Sequence, residues 1–164
     1  MVSAPRKLAR EDVRESFDSG APELDEWLQK YASQNQRANS AVTYVACDGD
    51  EVVGYYAITV GAISKDQVPA ALQRSAPREI PCILLARLAV DQRFSGRGIG
   101  AGLLDDALRR ALQLSESVGA MAVLIHARDE RARAFYEAQT DCLQSPVDAM
   151  QLVIPMSHLS KIYG

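Results

Sequence analysis

Much that would narrow a function quickly is missing from this 164-residue chain. It holds three cysteines, Cys47, Cys82 and Cys142, far apart and in no CxxC pair, so neither a disulfide framework nor a zinc site of ordinary ligand spacing is expected. No metal is predicted. Histidine is scarcer still, with His126 and His158 alone. No apolar run approaches the roughly 20 residues that span a bilayer, and the opening MVSAPRKLAR lacks the apolar stretch of a signal peptide. A cytoplasmic protein without membrane contact is the expectation. A surplus of one charge is also missing: 18 Lys and Arg face 21 Asp and Glu, a net charge of −3, which is no electrostatic signature of a nucleic-acid binder. Only a local basic face could serve such a partner, and Arg74, Arg78, Arg87, Arg93, Arg97, Arg128, Arg131 and Arg133 supply material for one.

What is present describes a folded domain. Hydrophobic residues make up 48% and charged residues 24%, with no polar low-complexity tract. A chain of this length should bury roughly 70% of the surface that its unfolded form exposes. No repeat, linker or composition break divides it, so residues 1–164 read as a single domain. Over Pro22–Arg37 the apolar residues Leu24, Trp27, Leu28, Tyr31 and Ala32 recur at helical steps behind an acidic first turn, predicting an amphipathic helix. AVTYVAC and VVGYYAITVGAI flank DGDE and predict a hairpin. Residues 64–79 read as a loop with one helical turn. ILLARLAV is a nearly continuous apolar run, expected to lie mid-sheet and buried on both faces.

The second half continues the alternation. Ile99–Val118 carries Leu103, Leu104, Ala107, Leu108, Ala111, Leu112 and Val118 on one stripe and ends at Gly119, so a helix is predicted. AMAVLIHA, residues 120–127, reads as a buried strand, Asp129 as the cap of a short helix ERARAFYEA, and DAMQLVI as a last strand. The order gives an α/β domain with a central strand–loop–helix–strand unit.

The segment RFSGRGIGAG, residues 93–102, holds four glycines and two arginines between that central strand and helix. A nucleotide-triphosphate P-loop would need Gly-Lys-Ser or Gly-Lys-Thr, which GIGAG does not supply. A dinucleotide fingerprint is formally matched by Gly96, Gly98 and Ala101, but the acid it requires about 20 positions on falls at Glu116, inside the predicted helix. A tight turn without a ligand would account for one or two glycines. A further reading is a pyrophosphate cradle of the kind that acetyl-CoA-dependent acetyltransferases use, in which backbone N–H groups, the helix N-terminus and Arg93 or Arg97 converge on the anion.

LARLAVDQRFSGRGIGAGLL resembles the signature segment of the GCN5-related N-acetyltransferase (GNAT) superfamily, and AFYE resembles its C-terminal catalytic helix. The resemblance implies the GNAT fold: a central mixed twisted sheet, helices on both faces and a splayed pair of central strands. It implies acetyl-CoA as co-substrate, with backbone groups of Leu88, Ala89 and Val90 toward pantetheine and Gly96, Arg97, Gly98, Ile99, Gly100 and Ala101 around the pyrophosphate. Two registers fit the family pattern, placing either Arg93 or Ser95 where Arg or Gln is expected; the helix stripe favours Ser95, a departure that leaves Arg93 and Arg97 as candidates to compensate.

By the same resemblance Tyr136 is the proton donor to the leaving thiolate, since a phenol with a pKa of about 10 stays protonated at neutral pH. Phe135 is expected to turn inward and Tyr136 toward the cofactor, because neighbouring helical residues point about 100° apart. His126 reads as a structural histidine, and no general base is evident. FDSGAPELDEWL, VVGYYAITVGAI and IPCILLARLAVD are similar to the toxin-type acetyltransferases of bacterial toxin–antitoxin pairs. That subgroup implies aminoacyl-tRNA as acceptor and a ribbon-helix-helix antitoxin as partner; a homodimer stays open. AQTDCLQSP replaces the family's common Gly-Phe after AFYE. An ordinary acetyltransferase of small-molecule or protein amines, and a non-catalytic CoA-sensing module, are the alternatives.

Overall fold

The computed structural model describes residues 1–164. They form two compact units, Met1–Thr59 with Ala86–Ala107 and Val60–Leu85 with Leu108–Gly164. In the first, the helical pattern at Pro22 is realised as α1 (Pro22–Glu26), a π-helical turn (Trp27–Tyr31) and α2 (Ala32–Arg37). The Ala32 N–H reaches back five residues to the Trp27 carbonyl, widening the turn. Trp27, Leu28 and Ala32 are therefore buried, while Tyr31, expected on the same stripe, is carried off it and is 44% exposed.

The short β1 (Arg6–Lys7) pairs with β2 (Val42–Asp48), which forms the expected antiparallel hairpin with β3 (Glu51–Ser64). Alternate residues Val45, Tyr55 and Ala57 join Phe17, Trp27, Leu28 and Ala89 in this unit's core. β4 (Glu79–Val90) contributes Ala89, and α4 (Ile99–Val118) begins after a 3-10 turn at Gln92–Phe94. At Gly54 of β3 an added Cβ would stand 3.0 Å from both Ile99 Cγ2 and Leu103 Cδ1. The missing side chain lets the first turns of α4 seat directly on the strand.

In the second unit, Cys82–Leu85 of β4 pairs in parallel with Ala122–Ile125 of β5 (Ala122–His126), and β5 pairs antiparallel with β7 (Gln151–Pro155), itself flanked by β6 (Leu143–Gln144). A 3-10 turn at Lys65–Gln67 and α3 (Ala70–Gln73) fill the loop predicted at 64–79. α5 (Glu130–Gln139) follows β5, and α6 (Met156–Tyr163) closes the chain. Ile63, Val68, Ile80, Cys82, Leu124 and Val153 form this unit's core. The strand order is β1-β2-β3-β4-β5-β7-β6, a mixed α/β sheet with β4 at its centre. No helix is long and apolar enough to cross a membrane.

Two expectations about burial are corrected. β4 is not buried throughout: Ile83 and Leu85 are, but Leu84, Ala86, Arg87, Leu88 and Val90 are only partly covered. For Ala86, Arg87, Leu88 and Val90 the physical reason is that the parallel ladder ends at Leu85↔Ile125 while β4 runs on to Val90. Val118, placed on the α4 stripe, is 60% exposed, because the last turn before Gly119 lies beyond the buried section that ends at Ala111.

Candidate active site

The end of β4 is fixed by a carboxylate. Asp91 is fully buried and caps the 3-10 turn, accepting from the Arg93 N–H at 2.9 Å, from Arg93 Nε and Nη2 at 3.0 and 2.9 Å, and from the Asp18 N–H at 3.2 Å. Burial alone would push its pKa up, but the Arg93 guanidinium and the two backbone N–H donors outweigh that and hold it below the ordinary carboxylate range. Arg93 also bonds Glu51, whose own pKa is lowered by this contact. Two carboxylates thus occupy Arg93. It locks the turn and is not a spare cation for a ligand.

The FDSG stretch braces the same turn. The Gln92 N–H donates to the Asp18 carbonyl at 2.9 Å, and Gln92 Nε2 donates to Asp18 Oδ1 at 3.1 Å. Asp18, Asp91 and Glu51 were given no role by the sequence, although the Asp after LARLAV marks the point where a strand must turn.

Ser95, in the favoured register the residue at the family's Arg or Gln position, turns its hydroxyl back to the Gln92 carbonyl at 3.0 Å. Arg97 lies over the Phe94 ring at 4.8 Å and is exposed. Of the two candidates to replace the Ser95 contact, Arg97 is therefore the one whose charge is not spent on the scaffold. Gly96 and Gly98 adopt φ of +76° and +78°, a conformation that other residues rarely hold, and nothing stands within 4 Å of a Cβ added at either. Their faces are open. The Gly102 N–H bonds the Gly98 carbonyl at 3.0 Å, so it closes the first turn of α4 and the N–H groups of Ile99, Gly100 and Ala101 precede it, without intrahelical acceptors. Three backbone donors at the positive end of a 20-residue helix, behind two open glycines, suit a phosphorylated ligand.

Leu88, Ala89 and Val90 lie in the same unit as the loop, on the part of β4 past the β5 ladder. Their backbone groups on that side have no β5 partner in the register. Also here, Arg87 lies over Trp27 with 4.4 Å to the ring centroid, and Trp27 stacks on Tyr55.

Tyr136 lies in the other unit, on α5, whose N-terminus Asp129 caps by accepting from the Ala132 N–H at 2.8 Å. The expected burial is corrected: Tyr136 is buried and Phe135 only partly so, the rings meeting edge to face at 5.3 Å. Ala132, Arg133 and Phe135 are the partly covered positions of the helix and Tyr136 its one fully buried residue, so the inward stripe centres on Tyr136. Burial pushes the phenol up to about 12. His126 is exposed at the end of β5, against the expectation of a structural histidine; its place at the strand terminus puts the ring outside the core.

A glycine turn feeding a helix at the end of a central strand, within a mixed sheet of this order, defines a class of acyltransferase. The acetyltransferase (GNAT) family model matches residues 6–140, and the chain belongs to that family. It is 40% identical over 162 residues to the tRNA-acetylating toxin of Mycobacterium tuberculosis, covering 99% of this chain and 97% of that protein. It is also 32% identical to a probable toxin TacT of Sinorhizobium fredii, over 68% of this chain and 64% of the relative. Among solved structures, AtaT complexed with acetyl-methionyl-tRNAfMet matches with a TM-score of 0.92 at 22% identity over 100% of both chains. AtaTR bound with AcCoA matches at 0.84 and 23%, over 99% of this chain and 98% of that one. At these identities the structures establish the shared fold.

Proposed function

We propose that this chain transfers an acetyl group from acetyl-CoA to the α-amine of the amino acid on a charged tRNA, and acts in the cytoplasm as the toxin of a toxin–antitoxin pair. The observation that carries the reading is the open glycine turn at the start of α4, in a chain 40% identical along its length to a tRNA-acetylating toxin. Residues 1–164 then serve as one acetyltransferase domain, and the partner that restrains it is a ribbon-helix-helix antitoxin.

The chemistry joins a C–N bond and breaks a C–S bond. The neutral amine attacks the thioester carbonyl, the amine sheds a proton, and the departing thiolate takes one up. Ile99, Gly100 and Ala101 offer their free N–H groups to the pyrophosphate, Gly96 and Gly98 give the backbone the turn it needs, and Arg97 adds a full positive charge. Leu88, Ala89 and Val90 pair through their backbone with the pantetheine arm. Tyr136 supplies the proton to sulfur. Its pKa of about 12 keeps it protonated across the working range, and the higher value costs some acidity against a basic thiolate.

Labelled acetyl-CoA incubated with total charged tRNA and, separately, with free amines tests the reading. Label should enter the charged tRNA and remain on the amino acid after mild deacylation. Transfer to free amines alone would overturn the tRNA acceptor, and no thermal stabilisation by saturating acetyl-CoA would overturn the co-substrate.

A further inference from the structure

Arg87 is the one arginine of the central strand. It belongs neither to the glycine loop nor to the ion pairs that hold Arg93 to Asp91 and Glu51, Arg6 to Asp12, and Arg133 to Glu130 and Glu137. The contact recorded for the Arg87 guanidinium is instead an aromatic face, 4.4 Å from the centre of the Trp27 ring. From the geometry we infer that Arg87, laid over Trp27, anchors a backbone phosphate near the 3′ end of the acceptor RNA. The inference rests on the proposed transfer to charged tRNA and names a residue that holds this acceptor.

Its place in the chain comes first. With the pyrophosphate at Gly96–Ala101, after the strand, a pantetheine arm following Val90, Ala89 and Leu88 runs back along β4. The next residue in that direction is Arg87. The thioester end, and hence the incoming amine, arrives beside it. Arg87 shares a strand face with Ala89, two positions on, and Ala89 packs in the cluster that contains Trp27.

The platform beneath it is rigid. Trp27 opens the π-helical turn and stacks on Tyr55 with ring centroids 6.0 Å apart and planes 12° from parallel. The Tyr55 hydroxyl donates to the Leu24 carbonyl at 2.7 Å, tying the stack to α1. A cation–π contact uses the flat face of the guanidinium and leaves the N–H groups at its edge directed outward. Of the acids of α1, Asp25 already accepts from the Ser19 N–H at 3.0 Å and its hydroxyl at 2.6 Å.

A planar fork held by its face, with its donor edge unspent and partly open to solvent, suits two oxygens of one phosphate. The protein's net charge of −3 means that any nucleic-acid contact must be local of this kind.

The test uses full-length Arg87→Ala and Arg87→Lys proteins. Uncharged tRNA binding is measured over a range of salt, the KM for charged tRNA under one condition, and acetyl-CoA binding by thermal shift. Arg87→Ala should raise the KM for charged tRNA roughly ten- to a hundredfold. It should also flatten the slope of log K against log salt by about 0.7–0.9, one phosphate's worth. Arg87→Lys should keep the slope yet lose part of the affinity, because it retains the charge without the fork. Stabilisation by acetyl-CoA should be unchanged in both. An unchanged slope, with or without a lower Tm, would overturn the anchor, as would a parallel loss of acetyl-CoA stabilisation. If the wild-type chain acetylates no charged tRNA, the functional reading falls, and the salt titration alone then decides whether Arg87 holds phosphate.

Discussion

Replacing Asp91 by Asn removes one negative charge from the turn that presents the glycine loop and changes almost nothing in volume. The side chain is fully buried and accepts three bonds from Arg93 and one from the Asp18 N–H. Breaking a fully buried ion pair costs about 3–5 kcal/mol. Arg93, however, is 53% exposed and can turn back to water, so the cost is set by the Asp91 side, where charge-assisted bonds weaken and an amide NH₂ meets donors. About 2–3 kcal/mol is expected, which for a chain of this size lowers Tm by about 4–12 °C. Thermal unfolding with and without acetyl-CoA measures both halves of the argument. Acetyl-CoA should stabilise the variant less than the wild type, because the capped turn leads into Gly96 and Gly98. The pH dependence supplies the sign. Asp91 has a depressed pKa in the folded state, so its contribution is complete above the unfolded value of about 3.9 and is lost as pH falls through the folded one. The gap between wild type and variant should be widest at neutral pH and close in acid. A variant that melts within about 1 °C of wild type at pH 7 would refute the assignment of the turn to this carboxylate.

Tyr136→Phe should lower kcat by roughly 10²–10⁴-fold while leaving acetyl-CoA stabilisation intact, and unchanged turnover would remove Tyr136 from the chemistry. With the phenol pushed up to about 12, the wild-type kcat should show no loss from its ionisation in a pH–rate profile through about pH 10; a descending limb near pH 9 would contradict that. Gly98→Ala should cost about 1–2 kcal/mol for holding an alanine at φ +78° and should weaken acetyl-CoA binding, read by calorimetry. Gly54→Val places atoms where Ile99 and Leu103 already stand at 3.0 Å from a Cβ, so a loss of about 1–3 kcal/mol together with weaker acetyl-CoA binding is expected by denaturant titration.

The long elements and the loop were legible because their signals are local. The hairpin around DGDE, the helix from Ile99 and the Asp129 cap follow from residues within a few positions of one another. The π-helical turn was not legible, since one extra residue in a helical turn leaves the three- and four-residue steps looking intact; Tyr31 shows the difference only by its exposure. The relative burial of Phe135 and Tyr136 was misjudged because both are aromatic, and the choice between them depends on which positions of α5 meet the rest of the chain. The roles of Arg93, Asp91 and Glu51 are non-local in the same sense. Glu51 lies 42 residues from the arginine it binds, a pairing that sequence spacing does not encode.

The brace between Asp18 and Gln92 has a consequence for the order of folding. Gln92 lies 74 positions from Asp18, and Asp91, which accepts from the Asp18 N–H, lies 73 away, so the turn before the glycine loop cannot take its final shape when its own segment of the chain collapses. Closing so long a loop is a costly search, repaid only once the contacts at both ends form. The phosphate-binding turn should therefore be among the last parts of the first unit to become ordered, after α1 and the hairpin are in place. Amide hydrogen exchange during refolding should show protection at Gln92 and Phe94 lagging behind that at Val45 and Tyr55.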